Sequence, residues 1–375
     1  MSEAPGTGRP EGWVEWLERR LNLTELFSFV THFGLLYTPV DASRPMAEVT
    51  AGLRQQAMPR LFDAPRALGI LAVLAFLVEV VTGVLLAYYY QPTPEAAFSS
   101  TRTIARDLPF GWLLHQIHAW GAVVLVVTVV ARLLRLFWDA LYRAPREILW
   151  WSAVAMTWLV LQMDFTGRLL VWDTHSYWEV VRGMEVIYAL PLVGPLLAFL
   201  LGGPQVDAGM LIRFYVLHAM VLPLWFGAFV YLSFATIRRV GLSAPSARTP
   251  GGATTYRRYL YGLAMALLLV FGVLVTLSVL VPFRFSAQAD PYTTPGGARP
   301  PWYMLASYTV LQALPIPTWI GGIALLAVAF AILLLPLWLR PADQAAERRA
   351  RLAGAGLFVA WVALTVAGSF LERRS

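Results

Sequence analysis

The sequence has no cysteine, and among its 29 basic residues there is no lysine. Without cysteine the chain cannot form a disulfide, ligate an iron–sulfur cluster or attach haem through thioethers. Charge is scarce as well: only 14% of the 375 residues are charged, against about 25% in an ordinary soluble domain. Histidine is scarcer still, at five residues: His32, His115, His118, His175 and His218. Few sites for acid–base or metal chemistry therefore exist, and each one is conspicuous.

What is abundant is apolar surface. Hydrophobic residues make up 58% of the chain, gathered into runs of roughly 20, the length that crosses about 30 Å of hydrocarbon as a helix. Seven runs are expected to span: Ala67–Tyr90, Trp112–Trp138, Ile148–Phe165, Met210–Ile237, Tyr259–Val281, Thr318–Leu339 and Leu352–Phe370. In lipid every backbone amide needs an internal partner, so these are helices and the fold class is an all-α polytopic bundle. If the first span runs from inside to outside, 20 arginines fall on inner segments and 9 on outer ones. That asymmetry fits the positive-inside rule. The net charge of +7 then reflects topology and lipid contact rather than nucleic-acid binding.

The organisation expected is an N-terminal arm (1–66), a four-helix unit (67–240), a linker (241–255) and a three-helix unit (256–375). The arm has no apolar signal-like segment, and its Trp13–Phe29 stretch reads as an amphipathic helix lying on the inner face. The Gly/Ser/Pro/Thr content of Gly241–Thr255 marks the linker. Two long outer connections, Gly167–Gly209 and Pro282–Pro317, are rich in Pro, Gly, Trp and Tyr and are expected to fold at the interface.

His118 lies two turns into the second span and His218 about two turns into the fourth. The two spans run in the same direction, so both imidazoles reach a similar depth. Such a pair suits axial ligation of a haem iron. By pattern alone, two unrelated polar residues satisfied by neighbouring helices are the more ordinary reading.

The surrounding residues favour the first reading. Phe110–Ala122, with His115-Gln116-Ile117-His118 at its centre, resembles the second helix of cytochrome b, and Arg213–Pro223 resembles its fourth. Arg143–Trp150 is similar to the inner loop before the third helix, and Thr82–Pro92 to the end of the first. Asp290–Pro295 followed by Pro300–Tyr303 resembles the loop that lines the quinol-oxidation site, and Trp13–Arg20 the surface helix of the chloroplast-type protein. The chain is thus identified as a member of the cytochrome b family, the chloroplast-type subunit fused to its smaller C-terminal partner.

The resemblance implies haem ligands at His118 and His218, and it also exposes departures. The family stacks two haems, with ligands 14 or 15 residues apart on each helix, about 21 Å of rise. Here the inner pair falls on Arg132 and Ser233, so one haem b is expected near the outer face, with no second b haem and no covalent haem. Arg132 either fills the vacant space, paired with lipid phosphate or a carboxylate, or is an ordinary snorkelling arginine. The glutamate of the family's Pro-Glu-Trp-Tyr motif is replaced by Pro301, which cannot accept a proton. Glu79 and Asp164 are the candidate proton acceptors in its place, the alternative for each being a neutral structural carboxyl. His115 stands where the family has an arginine facing a haem propionate; an interfacial histidine bonded to water is the other reading. Gly83, Gly121 and Gly167 match positions close to the porphyrin, though each alone would fit simple helix packing. Trp172, Pro301, Trp302 and Tyr303 are expected at a quinone site, where the aromatics would also suit an interfacial belt.

These features together imply a subunit of a quinol-oxidising, cytochrome bc-like complex in a bacterial inner membrane, without a conventional quinone cycle. The expected N-terminus is cytoplasmic and the C-terminus periplasmic. Expected partners are iron–sulfur or c-type cytochrome subunits, quinone, lipid and a second copy of the chain. The alternative is a scaffold that anchors other redox subunits while carrying little turnover of its own.

Overall fold

The computed structural model describes residues 46–55, 57–58, 64–201, 203, 205–240, 254–313, 316–338 and 344–371. Trp13–Phe29, His32 and most of the expected linker lie outside the described residues. Helix α1 (Met46–Gln55) and strand β1 (Ala57–Met58) precede α2 (Ala64–Ala87), the first membrane helix. A short helix, α3 (Ala97–Asp107), leads to α4 (Gly111–Trp138), and α5 (Glu147–Val171) returns. Two helices, α6 (Thr174–Tyr188) and α7 (Val193–Leu201), fill the long connection to α8 (Ala208–Val216). The last of these continues through a π turn, Leu217–Val221, into α9 (Leu222–Val240). Strand β2 (Thr254–Thr255) pairs antiparallel with β1 and opens α10 (Tyr256–Leu280). The remainder is a 3-10 turn (Trp302–Met304), α11 (Leu305–Ala313), α12 (Thr318–Leu333), α13 (Leu335–Trp338) and α14 (Gln344–Leu371).

Among the described residues, six helices are long and apolar enough to cross a membrane: Ala67–Ala87, Gly111–Trp138, Glu147–Val171, Ala208–Ile237, Tyr256–Leu280 and Ala345–Phe370. The expected seventh span, Thr318–Leu339, is not one continuous helix. It breaks at Leu334, between α12 and α13. Pro336 has no N–H to give the carbonyl of Ile332, four residues back. The Leu337 N–H bonds to Leu334 rather than Leu333, so two carbonyls lose their helical donors. The indoles of Trp150 and Trp151 replace them, donating to Ile332 O at 2.9 Å and to Leu333 O at 3.0 Å. In hydrocarbon such freed carbonyls need partners, and these bonds also tie the second half of the chain to α5.

Two further boundaries differ from the sequence expectation. The first span ends at Ala87 rather than Tyr90, and the third extends to Val171, which places Gly167 inside α5. The π turn is explained by Pro223, whose missing N–H breaks the ordinary ladder; Leu222 N–H reaches back five residues to Leu217 O.

The core of the four-helix unit lies among α2, α4, α5 and α9. Ala72, Ala75, Leu125, Val129, Met156, Val160 and Phe226 are buried there, and Phe76 packs on Phe226 with ring centroids 4.5 Å apart. Small residues let helices approach closely, and dispersion rather than water exclusion holds them in lipid. The outward faces carry exposed Val81, Val84, Leu268 and Val359, as a lipid-facing surface requires. The C-terminal half docks on α4 through Ile117, Val270 and Leu274. Gln116 adds a two-way amide bond, accepting from Phe283 N at 2.8 Å and donating to Phe283 O at 2.7 Å. Trp120 donates to Val281 O at 2.9 Å beside it.

Candidate functional site

His118 projects from α4 and His218 from the π turn, and their rings stand face to edge with centroids 6.0 Å apart. The Thr82 hydroxyl donates to Val78 O at 2.7 Å, so it accepts from His118 Nδ1 at 2.9 Å. Glu79 Oε2 lies 3.1 Å from the same nitrogen. His218 Nδ1 lies 2.9 Å from the Met163 carbonyl, which can only accept. In both rings the proton is therefore held on Nδ1, and Nε2 carries the lone pair. An imidazole bound to a metal at about 2 Å places its ring centre about 3 Å away. Two imidazoles sharing one metal thus need centroids about 6 Å apart. The observed pair satisfies that requirement, with the orienting partners that metal-binding histidines use.

The glycines make this arrangement possible. A Cβ on Gly167 would lie 2.6 Å from His218 Cε1, and one on Gly83 would lie 3.2 Å from His118 Cε1. A Cβ on Gly121 would collide with the Glu79 carboxyl. All three expected glycines therefore border the site, two against the imidazoles and one against Glu79. Glu79 Oε1 and His115 Nδ1 are buried without a hydrogen-bond partner. Orphaned buried polar atoms call for an explanation, and a haem with its propionates is one that fits the position. His115 also packs on Phe285, with centroids 5.0 Å apart, which couples this edge of the site to the C-terminal half.

The two outer connections are stitched together by Asp173. Its carboxylate caps α6 by accepting from Ser176 N at 2.9 Å, and accepts from Ser286 N at 2.8 Å. Thr174 N bonds to Ala287 O at 2.8 Å and Ala289 N to Trp172 O at 3.1 Å, so the 286–289 segment lies along the start of α6. Trp172 is only 4% exposed and packs edge-on against Tyr177. It is packed into the core between the two connections. Pro301 is buried, whereas Trp302 is exposed and rests on Trp361 of α14. The Tyr303 hydroxyl donates to Leu161 O at 3.3 Å and lies beside the Asp164 carboxylate. Burial, and then the neighbouring Asp164, hold the Tyr303 pKa well above the usual tyrosine value, so it remains a donor.

Asp164, one of the two candidate proton acceptors, is engaged by Arg168. Arg168 Nε bonds its Oδ2 at 2.7 Å, and Arg168 NH2 lies 3.5 Å from Oδ1. The same guanidinium gives NH1 to Glu179 Oε2 at 2.7 Å, and Glu179 Oε1 is 3.4 Å from His175 Nε2. Arg168, Glu179 and His175 were not singled out in the sequence as site residues. The signal available was a pair of i, i+4 charge spacings, Asp164/Arg168 and His175/Glu179, usual on solvated helices. Only the fold joins them.

At the inner positions Arg132 is 8% exposed, and its NH1 lies 3.8 Å from Met156 Sδ. Ser233 shares a 2.8 Å hydrogen bond with Ser152 and reaches the same sulfur at 3.7 Å. Arg132 is thus turned into the bundle rather than snorkelling outward.

The comparisons with known proteins agree with this architecture. Residues 53–241 match the family Cytochrome b/b6/petB, and residues 288–373 match Cytochrome b(C-terminal)/b6/petD. A cytochrome b6 of Heliomicrobium gestii is 41% identical over 179 residues, 48% of this chain and 84% of that protein. One from the red alga Porphyra purpurea is 38% identical, over 48% of this chain and 83% of its own length. A chain of a hyperthermophilic respiratory Complex III superposes with a TM-score of 0.74 at 23% identity, covering 95% of this chain and 91% of that one. The fold is therefore shared across nearly the whole length, and both family domains occur in order: this chain is a multi-pass membrane protein of the cytochrome b/b6 family, with the N-terminal and C-terminal family domains on one polypeptide.

Proposed function

We propose that the chain is the cytochrome b subunit of a bc-type electron-transfer complex in a bacterial inner membrane, holding one b haem near the outer face. His118 and His218 would hold it, with Glu79, Thr82 and Met163 orienting their rings. The observation that carries this reading is the pair of imidazoles 6.0 Å apart, each with its Nδ1 proton committed to a protein acceptor. When bound, the haem supplies one-electron exchange with a quinol. His115 would pair with a haem propionate, and Gly83 and Gly167 leave room for the His118 and His218 rings. Quinol binds between residues 167–173 and 295–303, with the Tyr303 oxygen placed to accept a hydrogen bond.

The inner level supports a single haem. Arg132 and Ser233 occupy the register of the second ligand pair, and Met156 between them is contacted by both. A guanidinium cannot be deprotonated to ligate iron. Electrons then have no second b haem through which to cross, so a conventional quinone cycle is absent. Iron–sulfur and c-type cytochrome subunits on the outer side are the partners, and the subunit forms a homodimer.

The test is haem quantitation with a reduced-minus-oxidised spectrum on the purified assembly. One b haem per chain is expected, lost in His118→Ala and in His218→Ala; two haems overturn the single-site reading. The scaffold alternative is separated by mixing with quinol: haem that a quinol never reduces in the intact assembly rules out the redox role.

A further inference from the structure

Arg168, Asp164 and Glu179 form a buried cluster whose charges do not balance. The three side chains are 23%, 8% and 11% exposed, and one guanidinium serves two carboxylates. With all three ionised the cluster holds one excess negative charge at low dielectric. The geometry decides which carboxylate is less committed to the guanidinium. Asp164 is gripped by two nitrogens of Arg168, one turn away on the same helix. Glu179 spends only Oε2 on Arg168 and turns Oε1 towards His175. His175 in turn is 75% exposed, so its ring joins the buried carboxylate to water. The start of α6 is held in place by bonds from Thr174 N to Ala287 O and from His175 N to Ser286 Oγ, at 2.8 and 3.0 Å. On its inner side the cluster meets Tyr303, whose hydroxyl lies beside Asp164.

We propose that Glu179 and His175 carry away the proton of a quinol bound beside Tyr303, the acid–base work that Pro301 cannot do. The inference rests on the reading that quinol is oxidised at this outer site. A quinol hydroxyl proton passes to Glu179 Oε1 and from there to His175 Nε2, and the imidazolium releases its Nδ1 proton to bulk water. One proton enters at Nε2 and one leaves from Nδ1: Glu179 returns to its carboxylate, and His175 is left as the other neutral tautomer, which a ring flip or proton exchange with bulk water resets. Two such proton transfers accompany the loss of two electrons, which a bound haem would accept one at a time, and quinol becomes quinone. Arg168 and Asp164 are positioning residues: Asp164 fixes the guanidinium that holds Glu179. Glu79, 3.1 Å from His118 Nδ1, is assigned to orienting that ring and not to this transfer.

The experiment is stopped-flow reduction of the haem by decyl-ubiquinol and by a menaquinol analogue, in the intact membrane assembly. Dithionite-reduced spectra confirm equal haem content in every variant. Glu179→Gln is expected to slow reduction by about 100-fold, the lower range for losing a general base. It leaves Arg168 paired with Asp164, so no buried charge is stranded. His175→Ala is expected to slow it about 10-fold. Added imidazole restores most of that loss, at concentrations that leave the haem spectrum unchanged, because a small diffusible base replaces an exposed shuttle. The same imidazole does not rescue Glu179→Gln. A merely structural role for His175 predicts no rescue, and that result overturns the proposal. Wild-type reduction by quinol with both variants within about twofold also overturns it and leaves the proposed function standing. Wild-type protein that neither quinol reduces removes the proposed function and this inference with it. If Glu179→Gln fails to assemble, the exposed His175→Ala and its imidazole response decide alone.

Discussion

Substituting Gly167 by alanine tests the haem site most directly. The added Cβ would lie 2.6 Å from His218 Cε1, 3.1 Å from Nδ1 and 3.4 Å from Nε2. Relieving the shortest contact requires the ring to recede by about 1 Å, twice the ~0.5 Å tolerance of a preorganised site. The direction is also unfavourable. Gly167 and Met163 lie one turn apart on the same face of α5, so moving off Gly167 stretches the 2.9 Å bond from Nδ1 to Met163 O. Loss of an orienting partner costs about 10- to 100-fold in metal affinity, or about 1.4–2.7 kcal/mol. Gly83→Ala is gentler, since its Cβ at 3.2 Å asks His118 to move only a few tenths of an ångström; haem affinity should fall less than about threefold. Gly227→Ala is the control, on the helix that follows His218. Nothing lies within 4 Å of its added Cβ, and alanine favours the helix by up to about 1 kcal/mol. The assay is haem retained per chain after purification, followed by competitive extraction with apomyoglobin to rank affinities. The expected order is Gly227→Ala equal to wild type, then Gly83→Ala, then Gly167→Ala far below. Full haem affinity in Gly167→Ala, or an equal loss in Gly227→Ala, refutes the placement of His218 as a ligand.

Three other expectations address neighbouring parts of the molecule. Glu79→Gln removes the negative acceptor 3.1 Å from His118 Nδ1; a less basic ligand stabilises ferric iron less, and the haem potential should rise by about 40 mV, or about 1 kcal/mol for one electron, read by redox titration. Trp150→Phe or Trp151→Phe strands a carbonyl freed by Pro336 and should cost about 1–3 kcal/mol each in a detergent unfolding series. With Pro336→Ala as background, where the helix regains its own N–H donor, most of the Trp150→Phe cost should disappear, and additive losses would contradict the account. Gln116→Leu breaks both bonds to Phe283 and should make the 282–300 loop cleavable by protease at lower enzyme dose, with the haem spectrum retained; unchanged cleavage would show that Gln116 does not hold this joint.

Glu79 and Glu179 show how legibility in the sequence divides. A carboxylate in the middle of an apolar run is conspicuous because lipid penalises it wherever the helix packs, and Glu79 stood out on that ground. Glu179 lies in an ordinary-looking interfacial stretch, and its meaning depends on Arg168, 11 residues away on another helix. Asp164 was equally conspicuous, but that Arg168 grips it and joins it to Glu179 is decided by the fold. Trp172 looked like a site residue by its neighbours and proved to be packed core.

Helices, their number to within one and the depth of His118 and His218 follow from the sequence, because the demands that set them are local. A run must be long enough to cross hydrocarbon, and its backbone must bond to itself. The break at Leu334 was also encoded locally, in Pro336, but its toleration was not: that took two indoles from a helix 182 residues away. Only the tertiary structure decided which nitrogen of each imidazole is free, where Arg132 turns and how two carboxylates come to share one arginine. These are properties of pairs distant in the chain, and no pattern along one helix specifies the partner that another helix brings to it.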